Sequence, residues 1–262
     1  MSTILDPERF ERLRITTDDA VAIIEMSSAP HNILARELRE ELRVCFEELR
    51  GRTEVRSIVL SGGEGGFCAG GDLREDRAAL SGEGDPRELL CGVLDLLCLI
   101  ERSPAPTIAA IDGPAYGAGL ELACACDLRV ASPRATFCAS AVNIGLIAGQ
   151  YRLPRIMGLG RAKEMLLTGS VHDASWATTA GLVNQVAEDP VGAARRLAAQ
   201  IAGGSPRALR ETKRLTNESY AKDLETLADE HVETVLELAA TQDHAEAVRA
   251  FLEKDTPAFR DR

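Results

Sequence analysis

The stretch GPAYGAGLELACACDL, Gly113 to Leu128, sets one carboxylate, Glu121, among small and apolar residues. A buried Glu is rare unless it is paired or has work to do. Two glycine-rich turns share a design: in GGEGGFCAGGDL glycines flank Ala69, and in GPAYGAGLEL Gly117 and Gly119 flank Ala118. Glycines beside one small residue let a backbone N–H approach a ligand unobstructed, although glycine turns after strands also serve structure alone. Two such N–H groups converging on one point would hold a developing oxyanion. If a helix opens at Ala118, its free N–H groups attract negative charge, and Glu121 lies about one turn along. A carboxylate there could move a proton to or from the carbon next to a carbonyl. Its neighbours Leu120, Leu122 and Ala123 offer no charge partner, so burial would raise its pKa. The other role open to it is that of a first-turn carboxylate favoured by the helix dipole.

The elements that must position these residues follow from periodicity. FERLRIT and AVAIIEMS read as strands around Thr17-Asp18-Asp19. LARELREELRVCFEELR carries Leu34, Leu38, Leu42, Cys45, Phe46 and Leu49 at helical spacing. VRSIVLSGG is a short strand, EDRAALSGEGDPRE a mobile loop, and PRELLCGVLDLLCLIERS a helix apolar enough to be well covered. TIAAIDG is a buried strand leading into GAGLELACAC, a short helix, and then come strands DLRVAS and ATFCAS. YRLPRIMG and RAKEMLLTG are helical, and DASWATTAG precedes the strand LVNQVAE. From Pro190 the pattern is helical, with a break at Gly203-Gly204-Ser205-Pro206. The layout predicts an α/β core of strand-strand-helix units over 1–187 and a helical region over 188–262.

Of the 262 residues, 45% are hydrophobic and 27% charged, ordinary for a chain with a real core. The formal charge of −11 argues against nucleic acid or an anionic membrane as partner, though local donors could still bind an anionic small ligand. The seven cysteines form no CxxC pair and no zinc-ligand spacing with His, and most lie in apolar runs. They read as reduced core cysteines of an intracellular protein. The charged start MSTILDPERFER has no apolar signal core, and no apolar run reaches membrane-spanning length. A cytoplasmic protein is expected. GxxxxGK[ST] is absent, and the first strand-helix turn lacks GxGxxG.

Taken together, the motifs resemble the enoyl-CoA hydratase/isomerase (crotonase) superfamily. The resemblance runs through APHNIL, EVRSIVLSGGEGGFCAGGDL, PTIAAIDGPAYGAGLELACACDLRVAS, ATFCAS, RAKEMLLTG, AGLVNQV and SPRALRETK, almost the whole chain. It implies a crotonase-type spiral of strand-strand-helix units with a helical C-terminal region that makes trimers, often paired into hexamers. It implies acyl-CoA thioesters as substrates and an enolate held by two backbone N–H groups, matched here to Ala69 and Ala118. Glu121 matches the first catalytic glutamate of the hydratases. Ala29 to Asn32, with Asp72 and Leu73, match the main-chain surroundings of the CoA moiety, His31 through its backbone with its ring toward solvent. Asp127 matches an acidic structural position. No metal or redox cofactor is implied, coenzyme A entering as part of the substrate.

One departure bears on the reaction. Hydratases carry a second glutamate within a pattern like PE-x-x-x-G; here the stretch is SAVNIG, with Ala141 at that place, and the following loop is shortened to LIAGQYRL. Adding water is easiest with two carboxylates, whereas a proton shift between carbons needs one. Loss of CO2 from a malonyl-type thioester strictly needs none, and decarboxylating members share a compact loop like VNIGLIAGQ. A lyase or isomerase using Glu121, a decarboxylase or thioesterase with Glu121 peripheral, and a largely non-catalytic acyl-CoA-binding protein are the three functions compatible with this pattern. Tyr116 and Gly117 lie in the second turn and would line the pocket. Tyr151 and Gln150 could supply a hydroxyl or amide, or Tyr151 could be an amphipathic helix residue. His172, His231 and His244 form no constellation, and Trp176 reads as packing.

Overall fold

A computed structural model describes residues 5–28, 30–63 and 66–262. Ala29 therefore lies outside the described residues. Six strands form the main sheet: β1 (Leu13–Asp18), β2 (Val21–Met26), β3 (Ser57–Ser61), β4 (Thr107–Ile111), β6 (Leu128–Ala131) and β9 (Gln185–Val186), side by side in that order. The pair β1–β2 is antiparallel, a hairpin turning at Asp19, whose φ is +49°. The other pairs are parallel. Every residue of β3 and β4 is buried, as expected of parallel strands covered on both faces.

A second sheet of three short strands, β5 (Pro114–Tyr116), β7 (Thr136–Cys138) and β8 (Val171–Asp173), stands beyond the C-terminal ends of the first. The chain passes from β4 to β5 through Asp112-Gly113 and from β6 to β7 through residues 132–135. Each such pair is followed by helix: α4 (Ala118–Ala125) after β5, and α5 (Arg152–Met157) with α6 (Leu159–Thr168) after β7. Strand-strand-helix units thus recur along the chain.

Helix α1 (Arg36–Arg50) buries Leu38, Leu42, Cys45, Phe46 and Leu49 on one stripe and joins the main core between the sheets. Leu34 precedes that helix and is itself buried. On the other face of the large sheet, Val21, Ile23, Val59, Ile108 and Val130 meet Ala193, Ala194, Ala198 and Ala202 of α8 (Pro190–Ala202). Small residues let that helix lie close to the strands. The packed layers therefore run on past Ala187, and α9 (Pro206–Glu218), α10 (Leu224–Ala239) and α11 (Gln242–Glu253) follow them.

Four expectations need correction. The segment 75–88 is not a continuous loop: α2 (Leu73–Leu80) occupies its first half, started by the Asp72 carboxylate, which accepts the Arg74 N–H at 2.8 Å. Helix α3 (Pro86–Glu101) is covered only at its end by burial of Leu96, Leu97 and Ile100, while Leu90, Cys91 and Leu94 are exposed in the single chain. LVNQVAE pairs only at Gln185–Val186, because Leu182 and Val183 turn into the core instead. The turn GPAYG is itself partly strand, β5, since Pro114, Ala115 and Tyr116 pair with β7.

Candidate active site

The two glycine turns meet. Cys68 and Ala115 form a parallel bridge, the Cys68 N–H donating to the Pro114 carbonyl and the Tyr116 N–H to the Cys68 carbonyl, both at 3.0 Å. A Cβ at Gly119 would fall 2.1 Å from the Cys68 carbonyl oxygen, so only glycine lets α4 start this close to the first turn. At Gly70, where φ is +118°, a Cβ would lie 3.1 Å from the Tyr116 oxygen and 4.0 Å from the Ala118 nitrogen. On its other side the first turn is held by residues 31–34. The Leu34 N–H donates to Gly70 at 2.8 Å, and the buried Asn32 amide donates to the carbonyls of Gly62 and Gly66 at 2.6 and 2.7 Å.

Within this lattice the Ala69 N–H donates to the His31 carbonyl at 3.0 Å. It is already committed, which corrects the reading of Ala69 as an oxyanion donor. Two residues on, the Gly71 N–H makes no hydrogen bond among the described residues, and space is open around that residue. The Ala118 N–H, first in α4, is likewise without a partner among the described residues. The N–H groups of Cys68 and Ala69 are both spent within this lattice, whereas those of Gly70 and Gly71 find no partner among the described residues. The motif alone does not single out Gly71, because the carbonyl that engages the Ala69 N–H belongs to His31, nearly forty residues upstream.

Glu121 is buried on α4, with 8% of its surface exposed. Its Oε1 accepts the N–H of Gly149 at 2.8 Å, a contact from the shortened loop rather than from its own helix. Burial, the dominant effect, pushes its carboxyl above the ordinary glutamate range; the Gly149 N–H and the charge of Arg152 pull the other way. Residues 120–123 offer it no charge partner, and no ion pair to it forms among the described residues; the charge that reaches it is that of Arg152 on α5, 31 residues along the chain.

The remaining candidates are placed as follows. Gly117, with φ +50°, donates its N–H to Cys138 at 2.9 Å and faces the Ser140 hydroxyl. The 3-10 turn Ser140–Ile144 thus abuts the second glycine turn, and Ala141 sits half-buried within it. Val142, Ile144, Leu146 and Ile147 form an exposed apolar rim beside it. The Tyr116 hydroxyl is 3.0 Å from that of Thr136. His31 is exposed and Leu73 too, and Asp72 serves as the cap of α2. Tyr151 stands apart from the turns: it lies under the Arg152 guanidinium at 4.5 Å and lines a cleft of about 820 Å³ beneath α9 that contains no residue of either turn. Gln150 is exposed.

Asp127 accepts the N–H and hydroxyl of Thr107 at 2.7 and 2.9 Å and pairs with Lys213 at 2.7 Å, tying α9 to β4. His172 stacks on Trp176, centroids 3.6 Å apart. All seven cysteines are free. Burial pushes the Cys68 and Cys124 thiols up to about 11, so both are neutral near pH 7. Among the described residues no group of three His, Cys, Asp or Glu side chains is placed to hold a metal ion, and no helix is long and apolar enough to cross a membrane.

Comparison with known proteins converges on one family. The family described as enoyl-CoA hydratase/isomerase matches residues 16–262. A Bacillus subtilis protein named "Probable enoyl-CoA hydratase" is 34% identical over 254 residues, covering 95% of this chain and 98% of its own. The short-chain-enoyl-CoA hydratase of Clostridium acetobutylicum is 33% identical over 230 residues, 85% of this chain and 87% of its own. Among solved structures, an enoyl-CoA hydratase from Bacillus anthracis superposes with a TM-score of 0.89 at 30% identity, over 96% of this chain and all of that one.

Proposed function

This chain belongs to the enoyl-CoA hydratase/isomerase family, and from that premise we propose that it is a lyase or isomerase acting on acyl-CoA thioesters, with Glu121 as its single proton-transferring carboxylate. What supports the reading is that the two glycine turns pack together through Cys68 and Ala115, each carries an N–H without a partner among the described residues, Gly71 and Ala118, and a buried carboxylate, Glu121, follows Ala118 by one helical turn. A thioester oxygen between those nitrogens, at roughly 2.7–3.1 Å, would accept both hydrogen bonds as negative charge gathers on it. The start of α4 adds its dipole. Glu121, its affinity for a proton raised by burial, takes the proton from the α-carbon and leaves an enolate. The same carboxyl can return the proton at the α-carbon or further along the chain.

Ala141 supplies no second acid, so nothing at that position activates or delivers water. Double-bond migration is therefore favoured over hydration. The test is a panel of 2-enoyl-, 3-enoyl- and malonyl-type CoA thioesters with product identification. A shifted double bond faster than hydration is expected, and Ala141→Glu should raise hydration of a short 2-enoyl thioester. Decarboxylation of the malonyl-type substrate to CO2 and the shorter acyl thioester, with neither enoyl substrate changed, would overturn the proton-transfer reading.

A further inference from the structure

Among the described charged residues Arg152 is the most enclosed, its side chain 1% exposed. Its Nη2 donates to Glu101 of α3 at 2.9 Å, and its Nε and Nη1 are buried with no hydrogen-bond partner among the described residues. A buried guanidinium with two idle nitrogens is expensive unless a nearby anion uses its charge. The Glu121 carboxyl on the neighbouring helix feels that charge, with no ion pair between the two among the described residues. The link is also mechanical. Arg152 opens α5, and the Leu153 N–H of the same first turn donates to the carbonyl of Gly149 at 3.1 Å. Gly149, at φ +78°, turns its own N–H onto Glu121, and a Cβ there would strike Leu153 at 2.9 Å.

We propose that Arg152, anchored by Glu101, is a positioning residue for Glu121: it fixes the Gly149 turn that grips the carboxylate and lends the enclosed site a cation. The inference rests on the assignment of Glu121 as the proton-transfer group but concerns what holds that group in place. The titratable groups around Glu121 leave Arg152 as the cation that counts. Tyr151, beside it, is raised by burial, and Cys124 on α4 is pushed up to about 11, so neither carries charge near neutral pH. Tyr116 of β5 bonds Thr136. Arg129 of β6 spends its nitrogens on the carbonyls of Ala123, Cys126, Asp127 and Leu182. Cys98 and Glu101 of α3 meet the site through Arg152 itself.

The experiment follows the Glu121 carboxyl carbon by NMR in protein carrying ¹³C-labelled glutamate, its signal identified by loss in Glu121→Gln. Arg152→Gln should move the titration midpoint upward, as the loss of a nearby cation requires. Arg152→Lys should restore part of that shift. Glu101→Gln should move the midpoint downward, because Arg152 then lacks its other anion. Opposite shifts support the assignment; an unmoved midpoint in folded Arg152→Gln overturns it. Should Arg152→Gln fail to fold, Glu101→Gln decides by itself, a downward shift supporting and none overturning. The readout is a titration and not turnover, so persistence of activity in Glu121→Gln would sink the proposed reaction while the midpoints still judge Arg152.

Discussion

Glu121 is pulled in two directions, and the balance bears on stability as well as on reactivity. Burial raises its carboxyl pKa, the Gly149 N–H and Arg152 lower it, and the net direction is upward. A carboxyl raised in the folded state binds its proton more tightly there than in the unfolded chain. Its contribution to stability is therefore complete below the ordinary glutamate pKa and is lost as pH rises through the raised value. Glu121→Gln removes that loss while keeping an oxygen for the Gly149 N–H. The expected outcome is a melting temperature at pH 7 equal to or above that of the parent, with the difference shrinking toward pH 4. A clear drop at pH 7 would mean that the ionised carboxylate is a stabilising residue and that its burial is not strained for function.

At the scale of elements, the site depends on where α4 begins. Ala118 is the first residue of that helix, a position where proline is tolerated because the N–H has no helical partner. Ala118→Pro should keep the fold and delete one of the two proposed oxyanion donors, lowering turnover by roughly 10²–10³-fold with little change in melting temperature. Unchanged turnover in the folded variant would remove Ala118 from the reaction. The start of α4 was legible in sequence, since GAGLEL marks both the glycine approach and the carboxylate one turn later. So were α1, β3 and β4, whose apolar periodicity is unambiguous. The bonded state of the Ala69 N–H was not legible, because it depends on His31 from a segment nearly forty residues upstream. Nor was α2, whose polar residues hide a helix started by a single cap at Asp72. Gly149 and Arg152 were visible only as part of a shortened loop, and their meaning came from the packing of α5 on α4.

At the scale of the whole molecule, the single chain leaves apolar surface uncovered. Helix α10 buries none of its residues, with Leu224, Val232, Val235 and Leu236 exposed, and Phe251 and Leu252 of α11 are bare as well. Leu90 and Leu94 add to this on α3. The trimer or hexamer expected from the resemblance would cover such surface, and light scattering on the purified protein should show three or six copies; a monomer at micromolar concentration would contradict it. The chemistry proposed for this molecule depends on one side chain, Glu121. Deuterium exchange at the α-carbon of a short saturated acyl-CoA, measured for the parent and for Glu121→Gln, tests it most directly. The parent should catalyse exchange and the variant should be ~10²–10⁴-fold slower, with thioester affinity retained. Equal exchange rates in the two folded proteins would contradict that chemistry and leave Glu121 a structural carboxylate.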